Sequence, residues 1–281
     1  MLVYPFSCTG KSFPQGVATS TNVFFLKVTS MRKNIAVVIL AAGLGTRMKS
    51  NRAKVLHEVA ERPMILYVVE AARKAAGDNI IVVVGNQAQK VREIISASAQ
   101  LHFAYQDRQL GRAHAVLCAL PHIPDHCDEV VILCGDVPLI FSETIKRFVE
   151  DHLAQCRDIS LLAVELENPY GYGRVLLDDS GQVLGIIEEA DATGDQKQIK
   201  LINSGIYCIN KRILQDALPK IKTNNAQEEL YLTDLLAHAY KEQRKLGLTV
   251  AADYIQIQGV NNCQDLKKAD KIMKKRLRNI S

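Results

Sequence analysis

From residue 35 onward, short apolar runs alternate with segments whose apolar residues recur every three or four positions. The runs IAVVILA (35–41), NIIVVVG (79–85), LHFAYQ (101–106) and EVVILCG (129–135) have the length of buried strands. Residues 63–76, 86–97, 110–120 and 142–155 carry helical spacing instead. This order predicts an α/β fold with a largely parallel sheet and helices on both faces. Beyond 158 short strands dominate: ISLLAVEL, GRVLLDD, QVLGIIEE and IKLINSGIYCIN, with Asp179-Ser180-Gly181 as a hairpin turn. Helices are expected again at 210–218 and 227–243, then a short strand near 254–258 and a basic amphipathic helix over 264–281. Residues 1–30 mix Pro, Gly, Ser and Thr with no clear period, which predicts a disordered extension ahead of Met31. The body then divides into 31–157 and 158–263, where the pattern changes.

Composition narrows the class. Apolar residues make up 48% and charged residues 23%, the balance of a globular chain. No stretch of 18 apolar residues occurs, so no membrane partner is expected. Seven cysteines occur without a CxxC pair, and several, such as Cys134, lie inside apolar runs. That usage predicts reduced, buried thiols and a cytoplasmic location. The net charge of +5 is uneven: 264–281 carry +5 and 1–34 carry +4, leaving −4 on the stretch between. The basic excess belongs to the ends, so nucleic acid is not an expected partner.

The segment LAAGLGTRMKSNRAKVLH (40–57) carries the clearest chemistry. A buried strand ends, Gly43 and Gly45 open a loop, and Arg47, Lys49, Arg52 and Lys54 follow with no acid before Glu58. A cationic glycine loop at a strand end suits a polyphosphate. It is not a P-loop, since GxxxxGK[ST] is absent. It is not the dinucleotide fingerprint either, since Met48 replaces the third Gly. Asp136 follows the apolar strand VVILCG, at the end where open α/β sheets bind ligands. A carboxylate beside polyphosphate calls for an intervening cation, and Mg²⁺ is the natural one.

GLGTRM followed by KVLH resembles the signature of sugar-nucleotide pyrophosphorylases. The likeness continues through QLGRAHA (109–115), GDVPLI (135–140), NPYGYGR (168–174), GIIEEADAT (185–193), INSGIY (202–207), AQEELYLTD (226–234) and GVNN (259–262). Together, over roughly 33–268, these resemble the uridyltransferase domain of bacterial bifunctional N-acetylglucosamine-1-phosphate uridyltransferases. The resemblance implies a Rossmann-like, mixed and mostly parallel sheet, and the joining of UTP to N-acetylglucosamine 1-phosphate with release of pyrophosphate. The product would serve peptidoglycan synthesis.

The same resemblance assigns roles. Leu40, Ala41, Ala42 and Gly43 would line base and ribose through their backbone, with Gly135 also on the nucleotide. Gln106, Gly111 and Arg112 would lie beside the uracil. Arg47 would hold the β- and γ-phosphates and Lys54 the α-phosphate. Asp136 and Asn261 would ligate Mg²⁺. Gly173, Glu188, Asn203, Glu229 and Tyr231 would contact the sugar. Of the adjoining Glu188 and Glu189, one would face the sugar and the other solvent. Two positions depart from the family: Arg112 stands where Thr is usual, and Ala53 replaces the usual Pro before Lys54.

Two other readings remain open from sequence: another sugar-1-phosphate nucleotidyltransferase of the same fold, such as a glucose-1-phosphate thymidylyltransferase, or a non-catalytic regulatory relative. The family's β-helix acetyltransferase domain leaves no hexapeptide repeat here, so neither acetyl transfer nor its trimer is expected, and a monomer or weak dimer is.

Overall fold

A computed structural model describes residues 34–279. The expected extension at 1–30 lies outside the described residues. The apolar runs form β1 (Ile35–Leu40), β4 (Ile80–Val84), β5 (His102–Tyr105) and β6 (Glu129–Cys134). A two-stranded hairpin, β2 (Glu58–Val59) and β3 (Arg62–Pro63), stands apart from them. The second half supplies β7 (Ile159–Glu165), β8 (Arg174–Leu177), β9 (Val183–Ile187), β10 (Leu201–Asn210) and β11 (Leu246–Val250). The helices are α1 (Met64–Ala76), α2 (Ala88–Ser96), α3 (Arg112–Ala119), α4 (Ser142–Ala154), α5 (Lys211–Ala217), α6 (Asp234–Lys241) and α7 (Cys263–Arg278).

The main sheet has the order β11-β7-β10-β6-β1-β4-β5, with β8 and β9 branching from β10. β1 runs parallel to β4 and β6, and β4 to β5. β10 inserts antiparallel between β6 and β7. β11 is parallel to β7, so β10 is the one reversed strand of the main order. The mixed, mostly parallel sheet expected from the sequence is therefore present, and both halves of the chain share it.

The core follows from strand alternation. Ile35, Val37 and Ile39 point to one face, packed under α1, α2 and α4. Ala36 and Val38 point to the other, packed under α3, α5 and α6. Each fully buried Val or Ile contributes about 1.5–3 kcal/mol. A polar network ties the edge of the sheet far from Cys134. His152, 1% exposed, links Ser160 Oγ at 2.9 Å to Glu129 Oε2 at 3.1 Å. Asn210 Nδ2 donates to the other Glu129 oxygen at 3.1 Å. Glu129, His152 and Cys208 cluster closely enough to suggest a metal site, but both imidazole nitrogens and both Glu129 oxygens are already partnered.

Three expectations need correction. Residues 254–258 are not a strand: Tyr254–Ile257 form a 3-10 turn, because the Asp253 carboxylate accepts the Ile255 N–H at 3.0 Å. The helix expected over 227–243 begins only at Asp234. Asn225 Oδ1 accepts the N–H groups of Gln227 and Glu229, and Glu228 takes φ +53, which holds that segment as a loop. Glu189 is not a solvated carboxylate. It pairs with the guanidinium of Arg174, 1% exposed, at 2.7 Å and accepts the Gly171 N–H at 3.1 Å.

The basic helix α7 is capped by Asn262, whose side chain accepts from Gln264 N and Asp265 N. Ala269 and Met273 bury against Val59 and Met64, while its lysines face outward. Arg276 alone among its last cations turns in, stacking on Phe141 at 4.1 Å and donating to Leu139 O at 2.7 Å. Among the described residues no helix is long and apolar enough to cross a membrane.

Candidate active site

Two cavities open at the C-terminal ends of β1 and β6. The larger, about 380 Å³, runs along Leu40–Gly45 and past Gln106 and Gly111 to Lys54 and Asp136. The smaller, about 80 Å³, is lined by Arg47, Gly173, Glu188, Asn203 and Asn261. Arg112 and Asp136 border both.

The glycine loop positions the cations. Gly45 takes φ +66, and a side chain there would come 2.7 Å from the Lys54 Cβ, so only glycine lets the loop pass against Lys54. Buried Met48, Val55 and Leu56 anchor the two 3-10 turns that present Arg47 and Lys54. Ala53, in place of the family's proline, keeps φ −53, within the range a proline ring imposes. The other two cations of the run turn elsewhere: Arg52 pairs with Glu58 at 3.0 Å, and Lys49 is exposed and borders neither cavity.

Lys54, Asp136 and Asn261 meet at the junction of the cavities. The Lys54 ammonium forms an ion pair with Asp136 Oδ2 and donates to Asn261 Oδ1 at 3.0 Å. Arg47 Nη2 reaches the same Asn261 oxygen at 3.5 Å. Asn261 is brought there by the backbone: Val260 N donates to Asp136 O at 2.8 Å, and Asn261 N to Asp265 Oδ2 at 3.1 Å. Because Asn262 does the helix capping, the Asn261 side chain is left for the site. Two hard oxygens from Asp136 and Asn261 grip one ammonium, so they are close enough to share one cation.

In the larger cavity, Gln106 is 4% exposed, and its amide nitrogen donates to Gly111 O at 3.0 Å and meets His114 Nδ1 at 3.1 Å. His114 thus fixes the amide, a residue the sequence reading left without a role although it lies within QLGRAHA. Gly111 takes φ +109, and any Cβ would sit 2.5 Å from Leu230 O. That close approach is sealed by bonds between Leu230 N and Leu110 O at 2.7 Å and between Ala113 N and Leu230 O at 3.0 Å. It brings Glu229 into the larger cavity.

On the other side, the β10 bulge between Asn203 and Ile206 sets Asn203. Its Oδ1 accepts from Gly205 N at 2.8 Å and Tyr207 Oη at 3.0 Å. Glu188 Oε1 accepts from Thr233 Oγ1 at 3.1 Å. Thr233 is a positioning residue the sequence reading passed over.

Two expected site residues lie outside both cavities. Gly135 packs against the core, where an added Cβ would come 2.8 Å from Ile65 Cδ1. Tyr231 is buried and its hydroxyl donates to Gln227 Oε1 at 3.0 Å. Burial pushes its phenol well above the ordinary range, with Asp191 and Glu188 adding to the effect.

Comparison with known proteins places this geometry. The sequence profile described as nucleotidyl transferase matches residues 36–254. A bifunctional protein GlmU of Geotalea daltonii is 43% identical over 243 residues, covering 86% of this chain and 53% of the relative. One from Desulfotalea psychrophila is 43% identical over 242 residues, covering 86% of this chain and 71% of the relative. The chain spans about half the length of most of the curated relatives it matches. A Bacillus anthracis structure, solved under the name glucose-1-phosphate thymidylyltransferase, superimposes with a TM-score of 0.66 at 18% identity, covering 85% of this chain and 94% of that one. It shares the fold. With the profile spanning most of the chain and the loop, strand ends and bulge meeting at one cleft, the chain belongs to the nucleotidyl transferase family.

Proposed function

We propose that the chain joins UTP to N-acetylglucosamine 1-phosphate, giving UDP-N-acetylglucosamine and pyrophosphate. The observation that carries this reading is the junction of two cavities at Lys54 and Asp136, with Arg47 beside it. A triphosphate lying along the glycine loop would bring its α-phosphate to that junction, and an acceptor in the second cavity would approach from the opposite side. The ordered motifs and the relatives at 40–43% identity support the choice of nucleotide and sugar.

In this mechanism an oxygen of the sugar phosphate attacks the α-phosphorus in line. The bond from that phosphorus to the bridging oxygen breaks, and pyrophosphate leaves with the electron pair. Little covalent chemistry is asked of the protein; positioning and charge neutralisation do the work. Lys54 exchanges its carboxylate partner for the α-phosphate, where negative charge gathers. Arg47 holds the departing phosphates. Asp136 and Asn261, freed of the ammonium, would hold Mg²⁺, whose charge offsets that of the phosphates. Gly173, Glu188 and Asn203 orient the sugar, and Gln106 and Gly111 the base. We place the activity in the cytoplasm, in a monomer or weak dimer, with the product feeding peptidoglycan synthesis.

Pyrophosphate release across a matrix of nucleoside triphosphates and sugar 1-phosphates tests this. UTP with N-acetylglucosamine 1-phosphate should be the best pair by at least about tenfold. Preference for dTTP with glucose 1-phosphate would replace it with the thymidylyltransferase reading, and no release from any pair would favour a non-catalytic relative.

A further inference from the structure

Arg112 does not stay where its backbone begins. The residue opens α3 at the base end of the larger cavity, but its side chain runs toward the smaller one. Its Nη1 lies 3.4 Å from the position a Cβ would take on Gly205, in the β10 bulge. The carboxylates of Glu188 and Asp136 border the same cavity and favour its charge. The Cys134 sulfur lies beside the same glycine, 2.9 Å from that Cβ position, and burial pushes its thiol up so that it stays neutral. Among the described residues the guanidinium has no hydrogen bond or contact ion pair. A planar group with five donors therefore borders the cavity whose lining includes Gly173, Glu188 and Asn203.

We propose that Arg112 is a specificity-determining residue for the sugar 1-phosphate acceptor and not for the nucleobase. The proposal rests on the reaction assigned above. Its physical basis is charge and shape. The acceptor arrives as an anion, and the smaller cavity presents it with the carboxylates of Glu188 and Asp136. Arg47 and Arg112 are the cations of that wall, and Arg112 has the Glu188 carboxylate among its neighbouring charges. Its fork offers charge-assisted hydrogen bonds to sugar or phosphate oxygens that a threonine at this position could not reach.

The test is a split of Michaelis constants. In Arg112→Thr the KM for N-acetylglucosamine 1-phosphate should rise about tenfold or more, the loss of one charge-assisted contact, while the KM for UTP stays within about twofold. Arg112→Lys, which keeps the charge but not the fork, should recover part of the loss and serves as the readout if the threonine variant does not fold. A rise in the UTP constant with the acceptor constant unchanged would make Arg112 a base reader and overturn the proposal, as would no change in either. An inactive wild-type chain would instead sink the assigned reaction.

Discussion

Lys54 is the residue on which the site turns. It holds Asp136 and Asn261 together, and in the proposed reaction it would trade the carboxylate for phosphate. Lys54→Ala and Arg47→Ala should each lower turnover by at least about tenfold, up to about 10³, the usual cost of losing one preorganised charge contact. Melting temperatures should barely move, since both side chains end at the cavity surface; wild-type turnover in either variant would remove its role. Asp136→Asn should shift the Mg²⁺ concentration needed for half-maximal rate upward by tenfold or more, because the carboxylate supplies the charge that attracts the cation. An unchanged Mg²⁺ titration would rule out Asp136 as a ligand. The expected residues that the structure brings together at the cavities are those whose chemistry is carried by type and strand-end position: the glycine loop, Lys54, Asp136, Asn261. Less legible were those defined by direction. Gly135 and Tyr231 stand in the right motifs but line neither cavity, and Arg112 borders both. His114 and Thr233 act through Gln106 and Glu188, which no local pattern announces.

At the scale of elements, the strands read most clearly were those buried on both faces. β1, β4 and β6 are Val/Ile-rich runs, and the one charged residue in their registers, Glu129, opens β6 at the end far from the cavities. β11 was missed because Gly247 and Thr249 interrupt the apolar pattern of LGLTV, and its partner β7 carries the hydrophobic share of that edge. The false strand at 254–258 and the overlong helix at 227–243 arose where one side chain, Asp253 or Asn225, captures backbone N–H groups that periodicity cannot see. The polar network at His152 joins α4 to β6, β7 and β10 at the sheet edge opposite the cavities. His152→Phe removes two hydrogen bonds and leaves Glu129 short of a partner, so it should cost about 2–4 kcal/mol in urea unfolding. The KM values should be unaffected, and a change in KM without loss of stability would contradict the network's structural role. The β2–β3 hairpin offers the converse test. Its turn places Ala60 at φ +46 and Glu61 at φ +65, a conformation glycine adopts without strain. Glu61→Gly should raise the urea midpoint modestly, by the equivalent of about 0.5–1 kcal/mol; a lower midpoint would show that the Glu61 side chain contributes more than its backbone costs.

For the whole molecule, one sheet whose main order has a single reversed strand brings both halves of the chain to a common cleft. β1 and β6 end at the larger cavity, and the reversed β10, inserted beside β6, delivers Asn203 and the bulge to the smaller one. The close approach at Gly111 ties the loop before α6 to the start of α3, and α7 returns the chain so that Asn261 reaches Asp136. Two cavities meeting at one ammonium–carboxylate pair suit the proposed in-line transfer between two bound substrates, which needs positioning and charge neutralisation. That claim is tested most directly by a ³¹P NMR time course of the purified chain with UTP, Mg²⁺ and N-acetylglucosamine 1-phosphate. The account predicts loss of the three UTP resonances and of the sugar monophosphate together, with UDP-sugar and pyrophosphate appearing in equal amounts and nothing happening when either substrate is omitted. Unchanged UTP, or inorganic phosphate released without the sugar, would contradict it.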